Sequence, residues 1–154
     1  MSTTPIEAHF EETHEVRNQV PEFGPCDLWA TDAVLREAVT REGAVAFAAH
    51  LGGYGRLAGD ALYRLSWDAH RDRPRLRTHD RFGKRIDRVE FHPAYHEIMG
   101  AAICGGVAGL SWATQAWQLP EVGAHVARAA LSYLHHQVEP GSSCALTMTN
   151  AAIP

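Results

Sequence analysis

Apolar residues in this chain recur at three- and four-residue steps over several stretches, divided by prolines, glycines and an arginine-rich run, and that spacing predicts helices from Thr31 onward. Thr31 reads as an N-cap followed by Asp32, with Val34, Leu35, Ala38 and Val39 forming the apolar side of a first helix. Gly43 either interrupts that helix or joins it to a second apolar stretch, Ala44 to Leu51, and Gly52, Gly53 and Gly55 mark its stop or a kink. Beyond Gly59, Asp60 caps a short helix with Leu62 and Leu65 on one side and Trp67 near its end. Pro74 and the arginines around it break regular structure. Gly83 falls in a turn, and Val89 and Phe91 then alternate with charged neighbours in a short extended piece.

The pattern is strongest after His92. Pro93 suits the first helical position, where its missing N–H costs nothing, and His92 before it is steered away from helical geometry. Tyr95, Ile98, Met99, Ala102, Ile103, Val107 and Leu110 then make an apolar stripe on a helix of about four turns. The run from Glu121 to Val138 supplies a matching stripe in Val122, Val126, Ala129, Ala130, Tyr133, Leu134 and Val138, so these two helices are expected to pack together. Pro140 and Gly141 are expected to end the second. A last apolar segment begins near Cys144 and reaches Pro154 without a cap, as an element interrupted mid-course. Residues 1–30 carry Pro5, Pro21 and Pro25 without helical period and read as an extended arm of the kind that docks on a neighbouring subunit. The expected architecture is all-α: an arm over 1–30 and a helical domain over 31–154.

A chain of 154 residues buries one proper core, and no apolar run approaches the roughly 20 residues of a membrane span. The start, Met1 to Glu15, is acidic and polar rather than signal-like, so a cytoplasmic location is expected. Cys26, Cys104 and Cys144 are odd in number and widely spaced, which fits free thiols, buried or incidental, rather than a disulfide framework or a zinc knuckle. Charge changes the picture more. Eight of the fourteen basic residues lie between Arg71 and Arg88, against only Asp72, Asp80 and Asp87, in a chain whose net charge is −4. Such a stretch is either a polyanion-binding surface, with Arg73, Arg75 and Arg77 as phosphate contacts for nonspecific DNA, or a solvated loop or subunit contact. It matches no compact DNA-reading module.

Other candidate chemistry is weak. His92 and His96 have a metal-compatible spacing, but no HExxH follows, and no carboxylate or cysteine is placed to complete a site; helix-start and packing roles are expected, with no metal. His135 and His136 are adjacent on a helix and point about 100° apart, so they do not share a ligand. Gly109-Leu110-Ser111-Trp112-Ala113 lacks the final glycine and preceding strand of a nucleophile elbow. Gly105-Gly106-Val107-Ala108-Gly109 lacks the order of a dinucleotide loop and fits close helix packing.

Four collinear stretches resemble the amino-terminal region of AidB-like acyl-CoA dehydrogenases, the branch linked to the adaptive response to alkylation. They are Asn18-Gln19-Val20-Pro21 with Ala38-Val39-Thr40-Arg41-Glu42-Gly43; Arg88 to His96, similar to a V-x-F-H-P-x-[WY]-H pattern; Ala127-Arg128-Ala129-Ala130 leading to Gln137-Val138-Glu139-Pro140-Gly141; and Cys144 to Ala152. The resemblance is weak only between Ala44 and Leu76. It implies the helical N-terminal domain of the acyl-CoA dehydrogenase fold, within a subunit that adds a middle β-domain and a C-terminal helical bundle and assembles as an FAD-binding homotetramer. The family's flavin-binding segment, a Met-Thr-Glu run ending in Gly-Ser-Asp, is expected beyond Pro154. Thr147-Met148-Thr149 is not that segment, because no acid or glycine run follows. The resemblance therefore carries no catalytic residue onto this chain, and FAD is expected in the parent protein rather than on this chain alone. It does imply that Thr147, Met148, Thr149 and Asn150 help wall the acyl pocket. An isolated docking domain should also expose apolar surface and self-associate.

Overall fold

The computed structural model describes residues 17–153. Most of the predicted arm, residues 1–16, lies outside that range. The arm's end is not extended: α1 (Leu28–Thr31) begins inside it, capped by the Asp27 carboxylate, which accepts from the N–H groups of Trp29 and Ala30. Leu28 drives this turn inward and is buried in the core. The cap of α2 (Ala33–Arg41) is Asp32 rather than Thr31, its Oδ1 accepting from Leu35 N–H at 2.8 Å. Thr31 instead donates its hydroxyl to Asp27 O.

Gly52, Gly53 and Gly55, expected to mark a stop or a kink, do not stop the next helix. A short 3₁₀ turn (Val45–Phe47) leads into α3 (Ala48–Leu57), which continues through one π-helical stretch, Ala58–Leu62, into α4 (Tyr63–Arg71). One helical rod thus runs from Ala48 to Arg71, and Asp60 is not a cap but pairs with Arg64 one turn on. Gly55 and Gly59 are there for close approach. A Cβ on Gly55 would stand 2.6 Å from Cβ of Trp29, and one on Gly59 only 1.9 Å from the Cys26 carbonyl oxygen. The Cys26 N–H donates to Gly59 O at 2.9 Å, so the chain before α1 is tied to the rod at its π-helical turn.

The arginine-rich run forms an antiparallel hairpin, β1 (Arg75–His79) with β2 (Arg85–Glu90), in place of the expected irregular loop. Its turn is built locally. Asp80 Oδ1 accepts from the N–H groups of Phe82 and Lys84, and Gly83 takes a φ of +82° that other residues avoid. Leu76 pairs across with Val89, yet both are exposed, so the hairpin stands off the core.

Helix α5 (Pro93–Cys104) starts as expected, with Pro93 at its first position and His92 Nδ1 accepting from Ala94 N–H. It ends earlier than the stripe suggested, and Val107 and Leu110 are buried in the turns that follow. Gly105 again permits closeness, since a Cβ there would meet the Tyr54 ring at 2.5 Å. Helices α6 (Ala124–His136) and α7 (Pro140–Ala151) complete the fold.

Two packing expectations change. Helix α5 lies mainly on α4 and also on α7, whereas α6 lies on α3. The buried side of α6 is Ala124, Ala127, Ala130, Leu131, Leu134 and His135, while Val122, Ala129 and Tyr133 face outward. A polar residue, His135, takes a core position that the apolar pattern had assigned elsewhere. Pro140 begins α7 rather than ending α6, because Glu139 caps the new helix and proline fits its first position. The core gathers around Leu28, Phe47, Leu51, Ile98, Leu131 and Leu134. Among the described residues no helix is long and apolar enough to cross a membrane. The three cysteines are free; Cys26 is half-buried, and Cys104 and Cys144 are exposed.

Candidate functional site

The end of α4, the base of the hairpin and the first turns of α5 and α7 surround a cavity of about 460 Å³. Helix α4 and the segment after it contribute Ala69, His70, Asp72, Arg73 and Pro74; the α5 side contributes Phe91, His92 and Tyr95; and α7 contributes Glu139 and Gly141. Phe91 and Tyr95 stack with centroids 4.5 Å apart and planes 18° apart, and His96 meets both rings edge-on. His92 thus caps a helix and His96 braces an aromatic pair.

Glu139 is 2% exposed and fully engaged. Its carboxylate accepts from Gly141 N–H at 3.0 Å, from Ser142 N–H, and from His70 Nε2 at 3.0 Å. Burial pushes this carboxyl up, but the hydrogen bonds from Ser142, His70 and Gly141 outweigh it and hold the group below the usual carboxylate range.

Behind Glu139 lies a buried polar relay. His135 is wholly buried, with Nδ1 2.8 Å from the Tyr54 hydroxyl and Nε2 2.7 Å from Ser142 Oγ. Ser142 Oγ also donates to Glu139 O at 3.4 Å. One proton arrangement satisfies every member: Tyr54 donates to Nδ1, Nε2–H donates to Ser142, and Ser142 donates to the Glu139 carbonyl. Burial lowers the His135 pKa from 6.5 to about 4, against a smaller upward pull from the Glu139 carboxylate, so the ring is neutral at neutral pH. Burial likewise pushes the Tyr54 hydroxyl up. Pattern reading weighed His135 only beside His136 and Glu139 only within a family motif, and passed over Tyr54 and Ser142. Only Glu139 carried a readable signal, an acid directly before a proline at a helix start.

The residues assigned to an acyl wall lie at the other end of α7, roughly 12 Å along the helix from the cavity. Thr147, Met148 and Thr149 are exposed, Met148 at 66%, while the opposite side of α7 buries Ser142, Ser143 and Leu146. Thr149 donates to Ala145 O within the helix. Asn150 reaches back to the turns after α5, donating to Ala108 O at 2.8 Å and to Ser111 Oγ at 3.3 Å. That contact gives Ser111 a structural role. Nearby, Arg128 donates from Nε to Val107 O at 2.9 Å, and its Nη2, shielded from solvent, has no acceptor among the described residues.

The three phosphate-contact candidates have different surroundings. Arg75 pairs with Asp72 at 2.8 Å and Arg77 with Glu90 at 3.1 Å, whereas Arg73 lines the cavity. Arg71 and Arg85 are also paired with acids. Much of the local positive charge is therefore balanced within the hairpin and its base.

A sequence model of the family described as "Adaptive response protein AidB N-terminal domain" matches residues 18–154. The chain belongs to the AidB N-terminal domain family. It is 42% identical over 144 residues to a protein of Escherichia coli (strain K12) named "Putative acyl-CoA dehydrogenase AidB", covering 93% of this chain and 26% of that protein. In fold it is similar to the crystal structure of Caenorhabditis elegans ACDH-11 in complex with C11-CoA, with a TM-score of 0.71 and 22% identity, covering 97% of this chain and 26% of that one. The chain thus spans about a quarter of the length of these relatives. Its fold is the helical N-terminal domain of acyl-CoA dehydrogenases, with the charged hairpin lying between α4 and α5.

The cavity between α4, α5 and α7, at about 460 Å³, is small for a dinucleotide such as the FAD that the family resemblance implies.

Proposed function

We propose that this chain is the entry domain of an FAD-dependent acyl-CoA dehydrogenase-like protein, contributing assembly surface and part of an acyl-pocket wall. The observation that carries the reading is α7 in an AidB N-terminal domain: one side is buried, while its last turns present exposed Thr147, Met148 and Thr149. A helix end with an uncovered methionine suits contact with further parts of a larger subunit or with an acyl chain. The solvent-shielded, acceptor-less Nη2 of Arg128 supports the same view, since a neighbouring domain can supply an acceptor.

In this reading the rest of the parent polypeptide holds FAD, which supplies the hydride acceptor for oxidation of an acyl thioester, and provides the carboxylate that removes the proton. The contribution of this chain is steric: Met148 and its neighbours limit how long or branched an acyl group is accepted. The parent is a cytoplasmic homotetramer, and the arm and exposed apolar residues of this domain take part in its contacts. In the full-length parent, Met148→Trp should shift acyl-chain selectivity toward shorter or thinner substrates. An unchanged profile of kcat/KM across chain lengths would remove Met148 from the wall.

A further inference from the structure

We infer that the cavity between α4, α5 and α7 is a binding site for a small, flat, unsaturated carboxylate, separate from the acyl-wall residues at the far end of α7. Its walls divide the work. Phe91 and Tyr95 offer a stacked aromatic surface to a planar body. The polar side is a donor set. His92 Nδ1 is occupied by Ala94 N–H, which puts the proton of the neutral ring on Nε2 and leaves that N–H free to donate. Arg73 lines the same cavity and, among the described residues, has no carboxylate partner.

The pairing of charges at the cavity favours an anionic ligand. The two acids at the cavity are already satisfied: Glu139 by His70, Gly141 and Ser142, and Asp72 by Arg75. Arg73 is thus the arginine of the lining without an acid partner among the described residues, and a carboxylate is the natural fork-shaped partner of its guanidinium. A volume of about 460 Å³ suits a molecule of modest size rather than a dinucleotide. Neither the cofactor nor the reaction of the parent protein enters this inference, and its test uses neither flavin nor an acyl thioester.

The probe is trans-cinnamate, titrated into the 154-residue chain by calorimetry and by saturation-transfer NMR, beside neutral cinnamamide and cationic phenethylammonium. Saturable binding of cinnamate is expected, with cinnamamide and the Arg73→Gln chain weaker by about tenfold. Tyr95→Ala should also weaken it, and Arg81→Gln, outside the cavity, should not. Thermal melts of each variant separate lost binding from lost folding. Absence of saturable binding in the millimolar range would overturn the inference. So would equal binding of cinnamamide, tighter binding of phenethylammonium, or undiminished affinity in a folded Arg73→Gln chain.

Discussion

The rod from Ala48 to Arg71 and the hairpin from Arg75 to Glu90 are consecutive in sequence and held by opposite means. The rod is fixed by what touches it from far along the chain: Trp29 and Cys26 against its glycines, Gly105 against Tyr54, and His135 on the Tyr54 hydroxyl. The hairpin is held by neighbours, namely the Asp80 turn, its ladder and ion pairs such as Arg77 with Glu90. Buried, mutually dependent contacts make the first region sensitive to single atoms. Exposed charge pairs in water, worth about 1 kcal/mol or less, make the second tolerant.

The comparison is broken most directly at Gly59. Gly59→Val should cost about 3 kcal/mol or more in urea unfolding, because the added carbons meet the Cys26 carbonyl and cannot be accommodated by a side-chain shift. Gly53→Ala, on the same helix but with open space around it, should be neutral or stabilise by up to about 1 kcal/mol. Equal behaviour of the two would mean that the segment before α1 is not pressed on the rod.

Acid should come next in size. The folded-state pKa of His135 is depressed from 6.5 to about 4, so its neutral form contributes fully above pH 6.5 and that contribution is lost as pH falls toward 4. The loss is on the order of 3 kcal/mol. Glu139 adds a loss at still lower pH, because its carboxyl is also held below its ordinary 4.5 and must be protonated. Urea midpoints at steps between pH 7 and pH 4 should show the slope, and His135→Gln should flatten it. A wild-type slope confined below pH 4.5 would assign acid sensitivity to carboxylates alone.

Glu139→Ala should cost about 2 kcal/mol at neutral pH through the lost α7 cap and the unpaired N–H groups of Gly141 and Ser142. The smallest effect belongs to the hairpin. Arg77→Gln should change stability by less than about 1 kcal/mol, whatever the salt. The same residues sharpen the question of polyanion contact. If the chain binds DNA through Arg73, Arg75 and Arg77, affinity should fall linearly with log salt, and the triple glutamine variant should have a shallower slope. Binding indifferent to salt would exclude a phosphate surface here.

Local chemistry was readable in the sequence where one or two neighbouring residues decide an outcome. The α5 start at Pro93, the turn at Gly83 and the extended piece around Val89 are of this kind. So was family membership, carried by collinear motifs across residues 18–154. Tertiary structure decided which helices meet and that Gly55 and Gly59 continue a helix instead of ending it. It also decided that His135 belongs to the core. Its partner Tyr54 lies 81 positions away, and no periodicity records that a ring at one point supplies the hydrogen bond another needs. Capping and turn preferences act within a few residues and so are written locally. Burial of a polar group depends on partners that only folding brings within reach.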